Sequence, residues 1–375
     1  MNKIVVLGTG LVGSAIAIDL AKQYDTTAID INTDSFERLN KAGVSTRQAD
    51  LSVPGEISDQ VSEYDLVIGA LPGFMGFNAL RDVITAGKNM VDISFMPEDF
   101  LAHNDLALKH GVTVVVDCGV APGMGNLILG NHTRQMKVES FRCYVGGLPL
   151  VREWPYEYRA VFSPIDVIEE YTRPARYMEN GHLVTREALS DIELKNFPTV
   201  GTLEAWNSDG LRSLLTTMDI PNMIEKTMRY PGTTEYIKVL RETGFFSYDE
   251  ISLGDKKIRP IDFTSKLLFP KWKLQEGEGD LTVMKIIIQG KENSEKVEYA
   301  YDLYDEYDLE TDTISMARTT GYTCTAVADL ILRGKLDKKG VLPPEYVGQQ
   351  EGNFDHVVDY LRERGVYYQV ERNKL

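Results

Sequence analysis

The chain has 375 residues and a formal net charge of −16 at pH 7. Hydrophobic residues make up 43% of it and charged residues 26%, which is typical of a folded protein of two or three domains and excludes a disordered chain. An acidic surface repels phosphate backbones and anionic lipid, so we expect neither a nucleic-acid partner nor a membrane partner.

The spacing of the cysteines and histidines argues against a fold held by disulfide bonds or by a metal ion. The three cysteines lie far apart without CxxC spacing, and the five histidines form no HExxH motif, so we expect no disulfide framework and no metal site. No apolar run reaches about 18 residues. The first residues are strand-like and follow no basic leader, so we expect a cytoplasmic protein.

Strands and helices alternate through the first 116 residues. Apolar runs predict strands at 4–7, 27–30, 43–46, 66–69, 89–93 and 112–116. Helical periodicity and capping residues predict helices at 11–23, 33–41, 55–61, 77–86 and 97–111. Six strands with helices between them predict an α/β fold, in which a doubly wound parallel Rossmann sheet forms the N-terminal part.

The pattern changes after residue 122 and predicts a second, α+β domain. Further strands are predicted at 141–145, 283–289 and 297–303, helices at 125–133, 316–332 and 354–364, and a loop at 342–344. We expect residues 1–122 to form the dinucleotide-binding domain, completed by a returning helix near 316–335 and the segment to 375. Residues 123–315 then form a domain for substrate binding and dimerisation, whose strands predict a sheet-mediated homodimer.

A glycine fingerprint follows the first predicted strand directly and opens a helix. Gly8, Gly10 and Gly13 match GxGxxG, with Leu11 and Val12 inside the motif. The first glycine permits the tight turn, the second lets a pyrophosphate approach the backbone, and the third lets the helix pack closely on the sheet. The free N–H groups of the helix start favour an anion. The alternative is a glycine-rich turn without a ligand.

Asp30 ends the second predicted strand, at the spacing expected for an acid that binds ribose hydroxyls. Its carboxylate would repel a 2′-phosphate, and no basic residue follows at once, so NAD is the expected cofactor. The alternative is that Asp30 only caps the following turn. Other cofactor contacts are predicted after the third strand, after the fourth strand and after the sixth strand, namely at Asp50, Leu51, Ala70, Leu71, Pro72, Gly119 and Val120.

Three loops leave the carboxyl ends of the later strands, where ligands bind in such sheets. The loop 117–123 is rich in glycine and proline and precedes a helix start; it could equally be a domain connector. Asp92 and Asp117 end strands five and six and are candidate general bases, although either could cap a loop. Cys118 is a candidate catalytic thiolate, with a buried inert thiol as the alternative.

Several longer strings resemble a known family. Residues 117–126 and 226–232 resemble the saccharopine dehydrogenase-like oxidoreductases, and residues 146–149, 162–171 and 318–323 are similar to their lysine 6-dehydrogenase branch. The resemblance implies NAD-dependent oxidative deamination of the ε-amine of L-lysine to 2-aminoadipate 6-semialdehyde and ammonia. The alternatives are reductive C–N bond formation of the saccharopine or carboxynorspermidine type, and a non-catalytic dinucleotide-binding protein.

An amino-acid substrate needs partners for both of its charges. Arg229 suits the α-carboxylate because a guanidinium binds a carboxylate through two parallel hydrogen bonds, and Arg212 is a second candidate. Asp166 and Glu170 lie four residues apart, on one helix face, where they could hold the α-ammonium. Tyr171 could donate a hydrogen bond. A surface ion pair, a solvated acidic face and ordinary aromatic packing are the respective alternatives.

Overall fold

The computed structural model describes residues 1–275 and 277–375. These residues divide into two compact units. The first unit contains Met1–Met136 and Met316–Tyr367, and the second contains Lys137–Ser315 and Tyr368–Leu375. The predicted domain boundary after residue 122 lies before a helix that the first unit includes, and the last residues of the chain join the second unit.

Strands and helices alternate in the chain up to residue 136. The elements are β1 (Lys3–Leu7), α1 (Leu11–Ala21), β2 (Asp25–Asp30), α2 (Phe36–Lys41), β3 (Ser45–Gln48), α3 (Glu56–Val61), β4 (Leu66–Gly69), α4 (Gly73–Thr85), β5 (Asn89–Asp92), a 3₁₀ helix (Phe100–His103), α5 (Asn104–His110), β6 (Thr113–Val115) and α6 (Met124–Thr133).

Longer strands dominate the middle of the chain. They and their helices are β7 (Lys137–Pro149), α7 (Pro164–Thr172), β8 (Ala175–Glu179), β9 (His182–Arg186), β10 (Glu193–Phe197), β11 (Gly201–Asn207), α8 (Leu214–Thr217), β12 (Asn222–Arg229), α9 (Thr233–Thr243), β13 (Ile251–Leu253), β14 (Lys256–Ile258), α10 (Pro260–Trp272), β15 (Asp280–Glu292) and β16 (Glu295–Glu306). The chain closes with α11 (Ser315–Leu332), β17 (Gly340–Leu342), α12 (Pro344–Gly348), α13 (Asn353–Arg362) and β18 (Tyr368–Lys374).

The first unit is built on a parallel sheet with the strand order β17-β6-β5-β4-β1-β2-β3. Every pairing in it is parallel. Residues 4–7 of β1 are fully buried, as expected for a strand covered on both faces. The strand order reverses at β1, so the loops after β1 and β4 leave the sheet beside each other. The doubly wound α/β fold is confirmed.

The prediction of six strands and of a loop at 342–344 was wrong. Residues 340–342 form β17, a seventh parallel strand that pairs with β6, and Pro344 begins α12. The strand is three residues long, too short to give a periodic pattern. Its partner lies more than 220 residues away in sequence, so a tertiary contact decides its conformation and local propensity does not.

The second unit contains a mixed sheet with the strand order β10-β11-β12-β7-β15-β16-β18, and β8 and β9 extend it from β12. The predicted hairpin of strands near 283–289 and 297–303 is confirmed as β15 and β16. Trp206 of β11 packs in a hydrophobic cluster with residues of α7, α9 and α10. In the described part of the chain, no helix is long and apolar enough to cross a membrane.

Candidate active site

The turn between β1 and α1 shows why each glycine of the fingerprint is needed. Gly8 has φ +99°, and a Cβ there would lie 2.4 Å from the carbonyl oxygen of Ala70. A Cβ on Gly13 would lie 2.2 Å from the carbonyl oxygen of Gly8. At Gly10, a Cβ would have no heavy atom of the described residues within 4 Å. Two glycines therefore close the turn, and Gly10 leaves open space against the backbone.

The start of α1 supplies the donors that an anion needs. Gly10 is the N-cap residue, and no described side chain caps the helix. The side chain of Leu11 is about half exposed, and Val12 is partly buried. Free N–H groups beside the open space at Gly10 fit a dinucleotide pyrophosphate. The turn between β1 and α1 therefore has the shape and the donors that a dinucleotide site needs.

Asp30 is fixed against this turn. Its Oδ2 accepts hydrogen bonds from the backbone N–H of Thr9 at 2.6 Å and from the Thr9 hydroxyl at 3.1 Å. Its Oδ1 accepts one from the N–H of Asn32 at 2.9 Å. Among the ion pairs of the described residues, none joins Asp30 to a basic side chain. The carboxylate both caps the following turn and keeps its charge unpaired at the predicted ribose position.

The other predicted cofactor residues divide into two groups. Ala70 closes on Gly8, Leu71 is partly buried, and Pro72 is the N-cap residue of α4, so this segment lies directly beside the fingerprint. Asp50 is exposed, and two hydrogen bonds from Ser52 lower its pKa. Leu51 packs into the hydrophobic core. Contact of Asp50 and Leu51 with an adenine stays a prediction.

Asp92 lies fully buried at the carboxyl end of β5. Its Oδ1 accepts a hydrogen bond from the N–H of Ser94 at 2.8 Å, and its Oδ2 one from the Ser94 hydroxyl at 3.1 Å. A Cβ on Gly69, at the end of β4, would lie 1.9 Å from this Oδ2. The absence of a side chain at Gly69 therefore leaves room for the Asp92 carboxylate. No pattern in the sequence indicates this role of Gly69.

Asp117 and Cys118 extend this cluster from the end of β6. The N–H of Cys118 donates to the carbonyl oxygen of Asp92 at 3.0 Å. Asp117 is buried and has φ +51°. Burial raises the pKa of the Cys118 thiol well above its usual range, and the charges of Asp117 and Asp92 raise it further. Cys118 is therefore a neutral thiol beside two carboxylates, which supports the buried-thiol alternative. Both carboxyl groups act on this one thiol, and their predicted role as general bases stays a prediction.

In the second unit, Arg229 at the end of β12 is almost fully buried. Its Nη2 donates to Glu170 Oε2 of α7 at 2.9 Å, and its Nη1 donates to the carbonyl oxygen of Met228 at 2.9 Å. Burial raises the pKa of Glu170 although Arg229 lowers it, and the nearby Asp166 adds to the rise. Two residues that we assigned to opposite ends of a substrate therefore pair with each other.

Aromatic rings enclose this guanidinium. Its central carbon lies 4.6 Å from the ring centroid of Tyr158 and 5.8 Å from that of Trp206. Tyr171 is fully buried, with its ring 6.1 Å from Trp206 and 6.2 Å from Trp272. The indole N–H groups of Trp206 and Trp272 are buried and have no hydrogen-bond partner in the described structure. Each of these indoles is therefore a donor that the described residues leave unsatisfied.

The segment after Arg229 is held by Glu204 of β11, which we did not predict. Glu204 Oε1 accepts from the N–H of Thr234 at 2.6 Å, and Oε2 accepts from the N–H of Gly232 at 3.0 Å. Gly232 has φ +102°, a conformation that favours glycine. A carboxylate at the start of α9 is stabilised by the free N–H groups there. Glu204 thus fixes the end of β12 that carries Arg229.

The remaining substrate candidates occupy buried positions in the same unit. Asp166 lies in the first turn of α7. Arg212 is buried with φ +51° in the loop after β11. In that loop Asp209 pairs through both oxygens with Arg176, at 2.9 and 2.8 Å. The predicted roles of Asp166, Tyr171 and Arg212 stay predictions.

Two family models match the chain. The saccharopine dehydrogenase C-terminal domain matches residues 119–366, and the saccharopine dehydrogenase NADP binding domain matches residues 4–115. Together they cover nearly the whole sequence, and the first alone covers more than half of it.

Curated relatives carry names from the same family. Saccharopine dehydrogenase (NADP⁺, L-glutamate-forming) of Pyricularia oryzae is 22% identical over 423 aligned residues, covering 92% of this chain and 93% of the relative. Alpha-aminoadipic semialdehyde synthase of Arabidopsis thaliana is 25% identical over 228 residues, covering 54% of this chain. The match spans only 21% of that Arabidopsis protein.

A solved structure shows the same fold over the full length. Apo saccharopine dehydrogenase (L-Glu forming) from Saccharomyces cerevisiae superposes with a TM-score of 0.78 at 18% identity, and the match covers 100% of both chains. At this identity the likeness establishes the fold, including the mixed sheet of the second unit.

Proposed function

This chain belongs to the saccharopine dehydrogenase family, and we propose that it catalyses hydride transfer between a nicotinamide dinucleotide and a C–N bond of an amino-acid substrate. The observation that carries the proposal is the pair of buried carboxylates, Asp92 and Asp117, at the ends of β5 and β6. They lie at the same edge of the parallel sheet as the fingerprint turn, where this fold places reactive groups.

The first unit would hold the dinucleotide through the turn 8–13, Asp30 and the segment 70–72. When bound, the dinucleotide accepts or donates a hydride. We propose NAD over NADP because the Asp30 carboxylate is held in place by Thr9 and Asn32, where it would repel a 2′-phosphate. The proposal therefore departs from the NADP⁺ in the names of the relatives.

Asp92 and Asp117 would handle the proton of the reacting amine. An amine gives up a hydride only when it is neutral, and a free lysine amine has a pKa of about 10.4. A carboxylate within reach can take this proton and can return it in the reverse direction. Cys118, a neutral thiol in a buried position, would support loop 117–123 and would not attack substrate.

The relatives favour a saccharopine-type reaction. In the reductive direction an aldehyde condenses with an amino acid's amine, water leaves, and the resulting imine takes a hydride at carbon and a proton at nitrogen to give a secondary amine. Such a substrate carries several carboxylates. Arg229 and the unpartnered indole N–H groups of Trp206 and Trp272 supply donors for one of them, provided that the carboxylate replaces Glu170 as a partner of Arg229.

Oxidation of the ε-amine of L-lysine is the second candidate. The loop favours it, because it reads Gly119-Val120-Ala121-Pro122-Gly123 where saccharopine dehydrogenase proper has leucine and aspartate in place of valine and alanine. None of the relatives reported above is named for oxidation of lysine, so they lend this candidate no support of their own. The homodimer and the cytoplasmic location stay predictions; a monomeric mass in light scattering would exclude the homodimer.

The deciding experiment follows NADH absorbance with the purified full-length chain. Saccharopine and L-lysine are each offered with NAD and with NADP, and aminoadipate semialdehyde is offered with glutamate and NADH. We expect turnover with saccharopine, and loss of turnover in Asp92→Asn and Asp117→Asn with dinucleotide binding retained. Turnover of lysine alone selects the second candidate. Dinucleotide binding without turnover of any amine contradicts the proposed function.

A further inference from the structure

The seventh strand of the parallel sheet leads to a buried carboxylate that the sequence analysis did not predict. β17 is the neighbour of β6, and both run parallel, so the residues after Leu342 leave the sheet at the same edge as loop 117–123. Those residues are Pro343, Pro344 and Glu345. The Glu345 side chain is fully buried, although an isolated buried carboxylate is costly.

Two glycines fix the helix that carries Glu345 against α6. A Cβ on Gly130 of α6 would lie 2.1 Å from the carbonyl oxygen of Glu345. A Cβ on Gly348 of α12 would lie 2.1 Å from the carbonyl oxygen of Leu127. The two backbones are therefore in direct contact, and Glu345 has little freedom to move relative to α6.

Glu345 acts on the side chain of Asn126. Its Oε2 accepts a hydrogen bond from Asn126 Nδ2 at 3.1 Å, and Asn126 Oδ1 accepts one from the backbone N–H of Gly123 at 3.4 Å. An amide side chain can present either its oxygen or its nitrogen to a given neighbour. A carboxyl oxygen of Glu345 accepts from the nitrogen, and this leaves the amide oxygen facing the N–H of Gly123.

The Gly123 amide closes the loop that follows β6. Gly123 has φ +138°, and a Cβ there would lie 2.4 Å from the backbone nitrogen of Gly119. Gly119 in turn donates to the carbonyl oxygen of Pro122 at 3.1 Å. The loop is a tight ring of backbone contacts between Gly119 and Gly123, directly after Asp117 and Cys118, and Asn126 accepts from the N–H of Gly123.

We propose that Glu345 is a positioning residue for loop 117–123, acting through Asn126 on Gly123. Its carboxylate sets the orientation of the Asn126 amide, which keeps the loop closed and Asp117 in place. The structural part of this proposal is independent of the reaction. The catalytic consequence rests on the proposed function.

The direct test measures hydrogen exchange of the Gly123 amide in the full-length chain. We expect Glu345→Ala and Asn126→Ala to speed exchange at Gly123 at least tenfold over wild type. Glu351→Ala, an exposed acid just beyond α12, should leave it unchanged. Unchanged exchange in both alanine variants would overturn the proposal, whatever reaction the protein catalyses.

Swapping the amide and the carboxyl group between positions 126 and 345 distinguishes this role from simple packing. Asn126→Asp alone sets two carboxylates against each other and should speed exchange. In the double variant N126D/E345Q, the new aspartate can accept from Gly123 and from the glutamine amide, so exchange should return to within about threefold of wild type. A double variant as fast as the worse single variant contradicts the proposal.

Turnover provides the second readout. With the substrate that the NADH assay identifies, Glu345→Ala should lower kcat about tenfold with little change in the KM for dinucleotide, and N126D/E345Q should recover most of kcat. Should no substrate turn over, the proposed function fails while the exchange result still decides the role of Glu345. A kcat unaffected by Glu345→Ala, in a variant whose Gly123 exchange is fast, rejects the catalytic consequence.

Discussion

The backbone N–H of Thr9 donates a 2.6 Å hydrogen bond to the carboxylate of Asp30, so the residue that ends β2 is tied to the turn that follows β1. This contact places a fixed negative charge beside the open space at Gly10. A second contact, from the N–H of Asn32, orients the other oxygen. The choice between NAD and NADP should therefore depend on Asp30.

Asp30→Asn should weaken the preference for NAD over NADP. The amide oxygen can still accept from Thr9, but the charge is lost. Since hydrogen bonds to a charged group contribute about 1.5–3 kcal/mol, kcat/KM with NAD should fall about 10- to 100-fold, and the value with NADP should hold or rise. Initial rates with both dinucleotides measure this. Asp34→Asn is the matched control, because Asp34 is an exposed neighbour. A wild-type preference for NADP would contradict the assignment.

Alanine substitutions at the fingerprint glycines should affect dinucleotide affinity and protein stability differently. Gly10 has φ −63°, which alanine tolerates, and its Cβ would touch no described atom. Gly10→Ala should therefore unfold at the wild-type temperature but bind dinucleotide about tenfold more weakly, a loss of about 1.4 kcal/mol. Thermal unfolding and NADH fluorescence titration measure the two effects.

Gly13→Ala should behave differently. Its Cβ would meet the carbonyl oxygen of Gly8 at 2.2 Å, and such overpacking costs about 1–3 kcal/mol. We expect a lower unfolding temperature as well as weak binding. Equal stability of the two variants would show that the turn is looser than described.

Cys118 should be chemically silent. All three cysteines are buried, and the pKa of the Cys118 thiol lies well above its usual range. A disulfide reagent should label no thiol in the native protein within minutes and three after unfolding. Cys118→Ala should keep kcat within about threefold, at a stability cost of roughly 1 kcal/mol. Rapid labelling of the native protein that abolishes turnover would support Cys118 as a catalytic thiolate.

Trp206→Phe should raise the substrate KM without loss of stability. The wild-type indole N–H is buried without a partner in the described structure. Its removal regains the cost of an unsatisfied donor, about 1–3 kcal/mol, which offsets the cavity that the smaller ring leaves beside Tyr171. If substrate satisfies this donor, KM should rise about 2- to 10-fold. Val161→Ala, a buried change in the same unit, controls for general disturbance. An unchanged KM places the substrate elsewhere.

Tyr24 should limit stability at high pH. Its hydroxyl donates to Asp329 at 2.5 Å, and burial together with that carboxylate raises its pKa to about 12. The unfolded tyrosine ionises near the ordinary value of 10.0. The unfolded state therefore releases a proton that the folded state keeps, and the free energy of unfolding falls between pH 10 and 12.

Tyr24→Phe removes that proton. Denaturant unfolding at pH 9, 10, 11 and 12 should show a shallower decline for the variant than for wild type, while its stability at neutral pH is lower because Asp329 loses a partner. Tyr367→Phe, an exposed tyrosine of the same unit, should follow the wild-type curve. Parallel curves for wild type and Tyr24→Phe would refute the assignment.

The sequence predicted the parallel sheet well because its signals are local. The fingerprint, the apolar runs and the helix caps each act within a few residues, and they placed strands β1 to β6 and the carboxylates at their ends. The Arg229–Glu170 pair joins residues 59 apart, and the Glu345–Asn126 pair joins residues 219 apart. Such pairings depend on the assembled fold, so Glu345, Glu204 and the rings of Tyr158 and Trp206 gave no sequence signal.

The order in which the chain is synthesised bears on β17 and β18. β6 gains its outer neighbour from residues 340–342, and β16 gains its outer neighbour from residues 368–374. While the ribosome is still making residue 315, β6 and β16 each have one unpaired side, and an unpaired strand invites pairing with other chains. Both strands gain these partners only after residues 316–375 have been made, so slow translation of this segment should raise aggregation of nascent chains.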